Sequence, residues 1–404
     1  MRYSAPGVYI EEIDSGPRPI SAVGTETAGF IGTAPRADAA INEAIAINNW
    51  SEFLRRYAGD GLASTDLANA VQGFFLNGGS RCYIANIPEG APIAGKGLDA
   101  LNLVDEIAMI AAPGRTDFSS HEALVSAAAS LKDRVAILDG PAQVDDIARL
   151  TQVGSVESEP ASGGDEGGEG TGGGRRSRAK AGGLRPPMDD KGYGAFYFPW
   201  LRARDALDPA KIVSVPPSGH MAGIFARTDA ERGVHKAPAN LPIRGALGLT
   251  QMLSQAEQGL LNDAGVNCIR FFTREGIRIW GARTIAPAES NWRYLNVRRL
   301  FAMIEESIAI STRWVVFEPN DRPLWKAIER DVGAFLTLLW RQGALAGAKP
   351  EQAFFVRCNE ETNPPEVIDA GQVVVLVGIA PVKPAEFVIF RIGQSPTGTM
   401  VEGN

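Results

Sequence analysis

The chain has 404 residues, of which 45% are hydrophobic and 22% charged, and its formal net charge is -7. This composition is typical of a globular protein with one large domain or a few smaller ones, and the negative charge argues against polyanion binding by the whole chain. The sequence has no long apolar run and no charged-then-apolar leader, so we expect neither a membrane span nor a signal segment. Cys82, Cys268 and Cys358 form no CxxC pair, so we expect reduced, buried thiols and neither a disulfide framework nor a zinc site.

The first part of the chain alternates predicted helices and strands. "STDLANAVQGFFLNGGSRCYIANI" (64–87) predicts a helix that ends at two glycines, followed by a strand. "DFSSHEALVSAAASLKDRVAILDGP" (117–141) repeats this order: Ser119 and Glu122 have the spacing of a capping box, and "VAILD" predicts a short buried strand. Such alternation predicts an α/β layer.

The segment 151–183 separates the two parts of the chain. It contains almost no large apolar side chains, so it cannot bury enough surface to offset the entropy lost on ordering. We therefore expect a disordered loop insertion. Its second half carries a basic run, Arg175, Arg176, Arg178 and Lys180. We favour a solvated insertion at a loop tip, and a polyanion-binding module through residues 175–180 remains an alternative.

The second part begins with a strand pair or bend and continues with two long helices. The strand pair is predicted in "TREGIRIWGARTI" (273–285), and the first helix in "NWRYLNVRRLFAMIEESIAIS" (291–311). The second helix lies in 320–347, with Asp321 as its cap and Pro323 in its first turn. Its apolar positions predict packing into the body by Trp325, Ile328, Val332, Phe335, Leu336 and Leu339.

The chain end carries two apolar, β-branched runs in "VVVLVGIAPVKPAEFVIFRIGQ" (373–394). Residues 373–380 predict a core strand, and residues 387–392 alternate as a second strand does. Pro381 and Pro384 predict a stiff hinge between them, since proline is excluded from the ladder of a central strand. Considered alone, the two runs favour a hairpin within one subunit.

One weak enzyme signature occurs. "GAPIAGKG" (Gly90–Gly97) fits the phosphate-binding pattern GxxxxGK with Lys96. "VAILD" ends at Asp139 and resembles the apolar strand with a terminal carboxylate that holds magnesium in P-loop NTPases. The pattern requires Ser or Thr after the lysine, however, and here this position is Gly97. A P-loop-like NTPase is therefore only the alternative hypothesis.

Other catalytic or metal-binding groupings are weaker still. His121, His220 and His235 stand in unrelated contexts without an i, i+4 partner, so we expect surface or capping roles. Glu305 and Glu306 are neighbours on a predicted helix, and adjacent helical side chains do not converge. We predict no catalytic site, no metal site and no cofactor.

Five segments in fixed order resemble a known family. They are "YSAPGVYIEEIDSGPRPI" (3–20), "IWGARTI" (279–285), "YLNVRRLFAMIEESI" (294–308), "FEPND" (317–321) and "PVKPAEFVIFRI" (381–392). Together they are similar to the tail sheath proteins of contractile phage tails, R-type bacteriocins and related injection systems. The resemblance extends over residues 1–150 and 190–404.

The resemblance implies an α/β (α+β mixed) subunit and a mechanical function. Family members stack as rings around an inner tube and contract from a metastable extended state, driving the tube through a target envelope. Expected partners are neighbouring sheath subunits, the inner tube, and baseplate and tail-terminator or cap proteins. We expect neither nucleic acid nor membrane insertion. Assembly is expected in the bacterial cytoplasm, as part of a phage tail or a particle that is released. Both end signatures occur in one chain, which disfavours a type VI secretion sheath, because that system divides the sheath between two polypeptides.

The resemblance also implies a domain order with arms at both ends. The expected order is a linker arm at 1–20, a first body part at 21–150, the loop at 151–183, the rest of the body at 184–380, and a hinge with a strand-exchange arm at 381–404. In the family such arms add strands to sheets of neighbouring subunits. The expected arm strands are Val8, Tyr9, Ile10, Glu11, Glu12 and Ile13, and Phe387, Val388, Ile389, Phe390, Arg391 and Ile392.

The second long helix is the expected attachment point for the inner tube. In the family a helix of the carboxyl-terminal region binds the tube through complementary charge. Here the basic residues on roughly one side of the helix are Arg322, Lys326, Arg330 and Arg341. A solvated helix face is the competing interpretation, and Arg298 with Arg299 forms a competing basic patch.

Overall fold

A computed structural model describes residues 18–155, 182–389, 391–395 and 398–402. The predicted amino-terminal arm strand and the basic run at 175–180 lie outside the described residues, as does Phe390. The chain divides into two compact units. The larger unit comprises Gly24–Ala302 and Val382–Asn404, and the smaller unit comprises Met1–Val23 and Met303–Pro381.

The strands and helices are defined as follows. The strands are β1 (Ala28–Gly32), β2 (Ile45–Ile47), β3 (Cys82–Asn86), β4 (Met109–Ala111), β5 (Val135–Asp139), β6 (Gly194–Phe198), β7 (Leu201–Arg204), β8 (Ile212–Val215), β9 (Ala246–Leu249), β10 (Val266–Phe272), β11 (Gly276–Trp280), β12 (Phe354–Arg357), β13 (Leu376–Ile379), β14 (Arg391–Ser395) and β15 (Gly398–Glu402). The helices are α1 (Trp50–Tyr57), α2 (Asp66–Leu76), α3 (Lys96–Asn102), α4 (Phe118–Leu131), α5 (Ser218–Arg232), α6 (Gln255–Asp263), α7 (Leu295–Ser311), α8 (Arg322–Arg341), α9 (Pro350–Ala353) and α10 (Pro365–Asp369). Short 3-10 helices lie at Ile147–Thr151 and Arg313–Val315.

The larger unit is built on an eight-stranded sheet with the order β11-β10-β6-β5-β4-β1-β3-β2. Its six central strands run parallel, and β2 and β11 add antiparallel edges. Strands β1, β5 and β6 are buried along their whole length, as expected for parallel strands covered by helices on both faces. The α/β prediction is confirmed, and so is the buried strand "VAILD". The segment 273–285 contains one strand of the predicted pair, β11, whose partner β10 lies upstream at Val266–Phe272.

Helices α2 and α5 pack closely against each other on this sheet because glycines line their contact. A side-chain carbon at Gly219 would lie 2.2 Å from the carbonyl oxygen of Ala70, so only glycine fits. The ring of His220 fills the space beside Gly73. His220 is 2% exposed and burial lowers its pKa to about 4, so the expected surface or capping role is wrong for this residue.

His121 and Ser119 also differ from expectation. His121 is 1% exposed, its Nε2 lies 3.1 Å from the carbonyl oxygen of Asp139, and burial lowers its pKa to about 4. Asp117, and not Ser119, caps α4 by accepting a hydrogen bond from the backbone N–H of Ser120. A carboxylate two residues earlier in the chain therefore takes the cap position. The three cysteines are free and buried, as predicted.

Two smaller sheets complete the larger unit. Strands β8, β7 and β9 form an antiparallel sheet. Strands β14 and β15 form a separate antiparallel pair with the register from Arg391 with Glu402 to Ser395 with Gly398. The C-terminal segment beyond Pro381 belongs to this unit.

The smaller unit combines α8 with the antiparallel pair β12 and β13. Asp321 caps α8 by accepting a hydrogen bond from the backbone N–H of Leu324, Pro323 lies in the first turn, and Gly343 follows the end with a φ of 80°. The predicted apolar stripe of this helix is buried. The expected core strand at 373–380 is in fact β13, a strand of a two-stranded sheet in which Leu376 is 50% exposed.

Candidate functional site

The C-terminal arm is anchored to the larger unit by a buried ion pair. Glu386 accepts two hydrogen bonds from the guanidinium of Arg283, at 2.9 Å from Nε to Oε1 and 2.6 Å from Nη2 to Oε2. The side chain of Arg283 is 3% exposed and that of Glu386 is 16% exposed. The amide Nδ2 of Asn296 also donates to the carbonyl oxygen of Val382 at 3.1 Å. These contacts fix the chain at its re-entry into the larger unit, directly after Pro381.

Beyond this anchor the arm exposes apolar side chains. Phe387, Val388 and Ile389 are 72%, 74% and 73% exposed and belong to no strand. The strand that follows is β14, so it includes Arg391 and Ile392 but begins after Ile389. Its partner β15 is in the same chain. The prediction that residues 387–392 add a strand to the sheet of a neighbouring subunit is not tested by a single chain and stays a prediction. The same holds for the hinge at Pro381 and Pro384.

Helix α8 presents its four basic residues to solvent. Three of them already have acidic partners: Arg322 lies 3.5 Å from Glu360, Lys326 lies 2.6 Å from Glu329, and Arg330 lies 2.9 Å from Asp331. Arg322, Lys326 and Arg330 remain 73%, 57% and 48% exposed, so each can exchange its partner. Arg341 is exposed in the last turn. The helix therefore offers accessible cations with little net local charge.

The competing basic patch at Arg298 and Arg299 does not exist on the surface. Arg298 is 1% exposed and its guanidinium lies over the rings of Tyr193 and Trp292, at 4.5 and 4.2 Å. Arg299 is 3% exposed and forms a bidentate pair with Asp229. That interpretation is wrong because both guanidinium groups serve the interior of the larger unit.

A cleft of about 540 Å³ lies beside α8 within the smaller unit. Its lining residues are Arg18, Trp314, Glu318, Pro319, Asp321, Pro323, Leu324, Lys326, Ala327, Arg330 and Asp331. The guanidinium of Arg18 lies 4.6 Å above the ring of Trp314, and its backbone N–H is 3.4 Å from Oδ2 of Asp331. The described part of the chain thus begins against α8, within the last residues of the linker arm expected at 1–20.

The nucleotide-binding alternative does not fit the geometry. A side-chain carbon at Gly97 would lie 2.5 Å from Cγ2 of Ile87, so the site has no room for the Ser or Thr that a phosphate-binding loop requires. Lys96 follows β3, while Asp139 ends β5, three strand spacings away in the sheet. That is a separation of roughly 14 Å at a spacing of about 4.8 Å. Lysine and carboxylate therefore do not converge on one phosphate.

Asp139 instead organises the interior of the larger unit. Its carboxylate accepts hydrogen bonds from the backbone N–H and the hydroxyl of Ser218 and from the backbone N–H of Gly114. The side chain is 1% exposed, and burial raises its pKa to about 7. The three donors offset part of the desolvation of the charged form. Asp139 thereby ties the start of α5 to the sheet.

The described residues form neither a metal-binding cluster nor a membrane-spanning helix. Among residues 18–155 and 182–389 with the short segments beyond, no group of three or more His, Cys, Asp or Glu could hold a metal ion. In the same part of the chain, no helix has the length and apolar character that crossing a bilayer requires.

Sequence reasoning missed the anchor of the arm. Arg283 and Glu386 are 103 positions apart, and no local pattern connects them. A signal was nevertheless present, since both residues lie in segments that carry the family resemblance, "IWGARTI" and "PVKPAEFVIFRI". The exposure of Phe317, in the segment "FEPND", was also not predicted from the sequence.

The described residues thus include an anchored C-terminal segment with exposed apolar side chains and a helix with exposed cations. Two family models match the chain: the phage tail sheath protein central domain over residues 192–285 and the phage tail sheath C-terminal domain over residues 288–395. Together they cover half of the 404 residues. A tail sheath protein of Vibrio phage KVP40 is 29% identical over 45% of this chain, and that match spans 27% of the phage protein.

Solved structures extend the similarity to nearly the whole chain. The contracted sheath complex of the extracellular contractile injection system PVC contains a chain that is 30% identical, with a TM-score of 0.76, and the match covers 98% of this chain and 99% of that one. A chain in the baseplate structure of the anti-feeding prophage AFP is also 30% identical, with a TM-score of 0.71 and coverage of 98% and 100%. The chain belongs to the contractile tail sheath protein family.

Proposed function

We propose that this chain is the structural subunit of a contractile sheath. It polymerises as helical stacked rings around an inner tube and contracts from a metastable extended state, which drives the tube through a target envelope. The observation that carries this proposal is the agreement over 98% of the chain with a subunit of a contracted sheath complex. The subunit acts without a catalytic step or cofactor, because the work is stored in the extended assembly.

The proposed partners follow from the same assignment. They are neighbouring sheath subunits, the inner tube, and baseplate and tail-terminator or cap proteins, and they include neither nucleic acid nor a membrane into which the subunit inserts. The similarity to a chain in the AFP baseplate structure supports the contact with a baseplate. Assembly takes place in the bacterial cytoplasm, within a phage tail or a phage-tail-like particle that is released.

The C-terminal arm links subunits by its exposed apolar residues. Fixing a residue's backbone costs about 1 to 2 kcal/mol, whereas a hydrogen bond contributes about 0.5 to 1.5 kcal/mol net, so strand pairing alone is close to neutral. Burial must therefore drive the association. A fully buried Phe, Val or Ile side chain contributes about 1.5 to 3 kcal/mol, and residues 387–389 supply three such groups with nearly three quarters of their surface still free.

The two-stranded sheet of the smaller unit is the proposed receiving surface for arms. In the described part of the chain β12 pairs with β13 alone, which leaves sheet edges open for an added strand. Phe355, Leu376 and Val377 are 49%, 50% and 39% exposed on this sheet. An isolated two-stranded sheet is marginal in water, so added strands from a neighbouring subunit would complete it. The amino-terminal arm, which includes residues 8–13, is proposed to take part in the same way.

Helix α8 is the proposed attachment helix for the inner tube. Its cations Arg322, Lys326, Arg330 and Arg341 would exchange their present partners for acidic groups on the tube. Exposed pairs of this kind contribute little individually and are screened by salt. Weak contacts repeated along the helical polymer hold the tube in the extended state and still allow release during contraction.

Electron microscopy tests the proposal directly. The full chain is purified, alone and after co-expression with a candidate inner-tube protein, and the material is viewed in negative stain. We expect tubes with stacked rings, in extended or contracted form. Monodisperse globular particles, at concentrations and salt conditions that preserve other sheaths, would contradict the proposed function.

A deletion tests the role of the C-terminal arm. A chain that ends at Glu386 keeps the ion pair with Arg283, so the larger unit retains its anchor. We expect soluble, folded subunits that do not form sheath. If the shortened chain assembles into sheath polymers as wild type does, the strand-exchange proposal is contradicted, while the proposed sheath function still holds.

A further inference from the structure

A pocket of about 220 Å³ lies in the larger unit between α2, α5 and the sheet of β7, β8 and β9. Its apolar walls are formed by Leu76, Ala203, Val215 and Leu247. Ala203 and Val215 are buried, whereas Leu76 and Leu247 are exposed and lie at the mouth. An apolar cavity of about 150 Å³ already holds a benzene molecule, while drug-sized ligands need about 300 Å³ or more. The pocket therefore has the size for one small ring.

The imidazole of His220 lies in the wall of this pocket and has an unpartnered nitrogen. His220 is 2% exposed, and its Nδ1 has no hydrogen-bond partner among the described residues. Nδ1 packs on Gly73, where an added side-chain carbon would lie 2.3 Å away, and Nε2 lies beside Gly245 of the pocket wall, where the same distance is 3.8 Å. Because no acceptor lies beside Nδ1, the ring proton is favoured on Nε2, where a ligand can accept it in a hydrogen bond.

The wall offers no net charge to a ligand. Burial lowers the pKa of His220 to about 4, so its ring is uncharged at neutral pH. Arg204 donates from Nη1 to the carbonyl oxygen of Pro209 at 2.7 Å. The carboxylate of Asp205 accepts hydrogen bonds from the hydroxyl of Ser64 and from two backbone N–H groups. One cation and one anion, both already hydrogen-bonded within the subunit, favour a neutral ligand over an ion.

We propose that this pocket binds a neutral ring compound with one hydroxyl group, of the size of phenol. The hydroxyl oxygen accepts a hydrogen bond from Nε2 of His220, and the hydroxyl donates to the amide oxygen of Gln72, a partly buried residue of the same wall. The ring covers the apolar walls, and being rigid it loses little conformational freedom on binding. The inference goes beyond the proposed sheath function and does not depend on it, because every lining residue belongs to the larger unit of one chain.

The test is a calorimetric titration of the purified full chain with phenol. We expect saturable binding at one site with a Kd of about 1 mM or below. The unfolding temperature should rise with phenol concentration, since a ligand that binds only the folded state stabilises it. Benzene lacks the hydroxyl and should bind about 3-fold to 10-fold more weakly, which is the contribution of one neutral hydrogen bond. Benzoate should also bind more weakly, because its charge is desolvated in the pocket.

Two variants test the polar contacts. His220→Phe keeps a ring and removes an unpartnered buried nitrogen, so we expect an unfolding temperature no lower than that of wild type. Its affinity for phenol should fall about 3-fold to 10-fold, while its affinity for benzene stays at the wild-type value. Gln72→Met keeps the length of the side chain without the amide and should weaken phenol binding in the same way. This second variant decides the matter if His220→Phe is less stable than wild type.

A matched pair of variants locates the binding. Leu247→Trp places a large ring at the exposed mouth of the pocket and should lower the affinity for phenol at least ~10-fold. Leu103→Trp makes the same exchange at a residue of the larger unit that is 84% exposed and outside the pocket, and it should bind phenol as wild type does.

Three results would overturn the proposal. A titration that does not saturate would show that the pocket holds only water. Equal affinities for phenol in Leu247→Trp and Leu103→Trp would place the binding elsewhere on the chain. An unchanged preference for phenol over benzene in both His220→Phe and Gln72→Met would show that neither side chain contacts the hydroxyl.

Discussion

Arginine plays opposite parts in the two compact units. In the larger unit Arg283, Arg298 and Arg299 have side chains that are almost completely buried, and they hold strands, helices and the C-terminal arm together. In the smaller unit Arg322 and Arg330 are about half or more exposed and form ion pairs with Glu360 and Asp331. Buried cations are costly to separate from their partners, while exposed ones exchange partners readily. The charges of the larger unit therefore stabilise its interior, whereas those of the smaller unit stay accessible to solvent.

The largest effect is expected from breaking the pair between Arg299 and Asp229. Both side chains are 3% exposed, so Asp229→Ala leaves a buried cation without its carboxylate. We expect a loss of about 3 to 5 kcal/mol in the free energy of unfolding, measured by urea denaturation. The double variant Asp229→Leu with Arg299→Met removes both charges and should lose clearly less. Equal losses in the two variants would contradict the electrostatic explanation.

A smaller loss is expected at the anchor of the arm. Glu386→Ala removes the bidentate partner of Arg283. Glu386 is 16% exposed and Arg283 keeps its hydrogen bond to the carbonyl oxygen of Asn262, so we expect a total loss of about 1.5 to 3 kcal/mol. We expect lower stability and faster proteolysis of residues 382–404. Lys383→Ala, an exposed position three residues earlier, serves as the control and should behave as wild type. An arm that resists protease equally in both variants would show that Glu386 is not the anchor.

Asp139 gives the larger unit a specific pH dependence. Its folded pKa of about 7 lies above the ordinary value of 3.8, so the folded state holds this proton more tightly than the unfolded state. Its contribution to stability is fully present below the ordinary pKa and is lost as pH rises through about 7. His121 and His220 act in the opposite direction, because burial lowers each pKa to about 4.

A difference measurement isolates the Asp139 contribution from those of the histidines. We expect the stability of wild type relative to Asp139→Asn to fall between pH 5 and 7, with a slope of up to about 1.4 kcal/mol per pH unit. Urea denaturation across this range measures the slope. A constant difference between the two proteins would mean that the carboxyl group is charged throughout.

The smallest effect on stability is expected on α8. Lys326→Glu with Arg330→Glu changes two exposed side chains, so the free energy of unfolding should move by no more than about 0.5 kcal/mol. Sheath polymers of this variant should nevertheless lack the inner tube. Arg202→Glu with Arg204→Glu on β7 reverses two other exposed charges, and its polymers should keep the tube. Unchanged particles from the α8 variant would reject the attachment helix.

Local patterns were sufficient to predict much of the fold. The run "VAILD" was predicted correctly as a buried strand, because a short run of four apolar residues that ends in a polar one is typical of a strand in the interior of a sheet. Helix α8 was predicted with its cap at Asp321 and its buried stripe, since capping and amphipathic spacing are both local properties. The family resemblance supplied the expected function, which no single motif indicates.

Features that depend on distant residues were missed or misread. Arg298 and Arg299 look like a basic patch in sequence, but Tyr193 and Asp229, both far along the chain, contact their guanidinium groups and help to bury them. In the sequence, nothing distinguishes Glu386 from other acidic residues, and only the fold brings it into contact with Arg283. A buried charge pair has no sequence signature, because its two members are brought together only by the fold.

The central claim is that subunits join through the arm while each remains fixed by its own buried charges. A cryo-electron microscopy reconstruction of the assembled particle tests this most directly. We predict that the Arg283 and Glu386 pair persists within one subunit and that residues 387–389 are buried against the β12 and β13 sheet of a neighbouring subunit. The account would be contradicted by polymers in which residues 387–389 pack on their own subunit or stay in solvent.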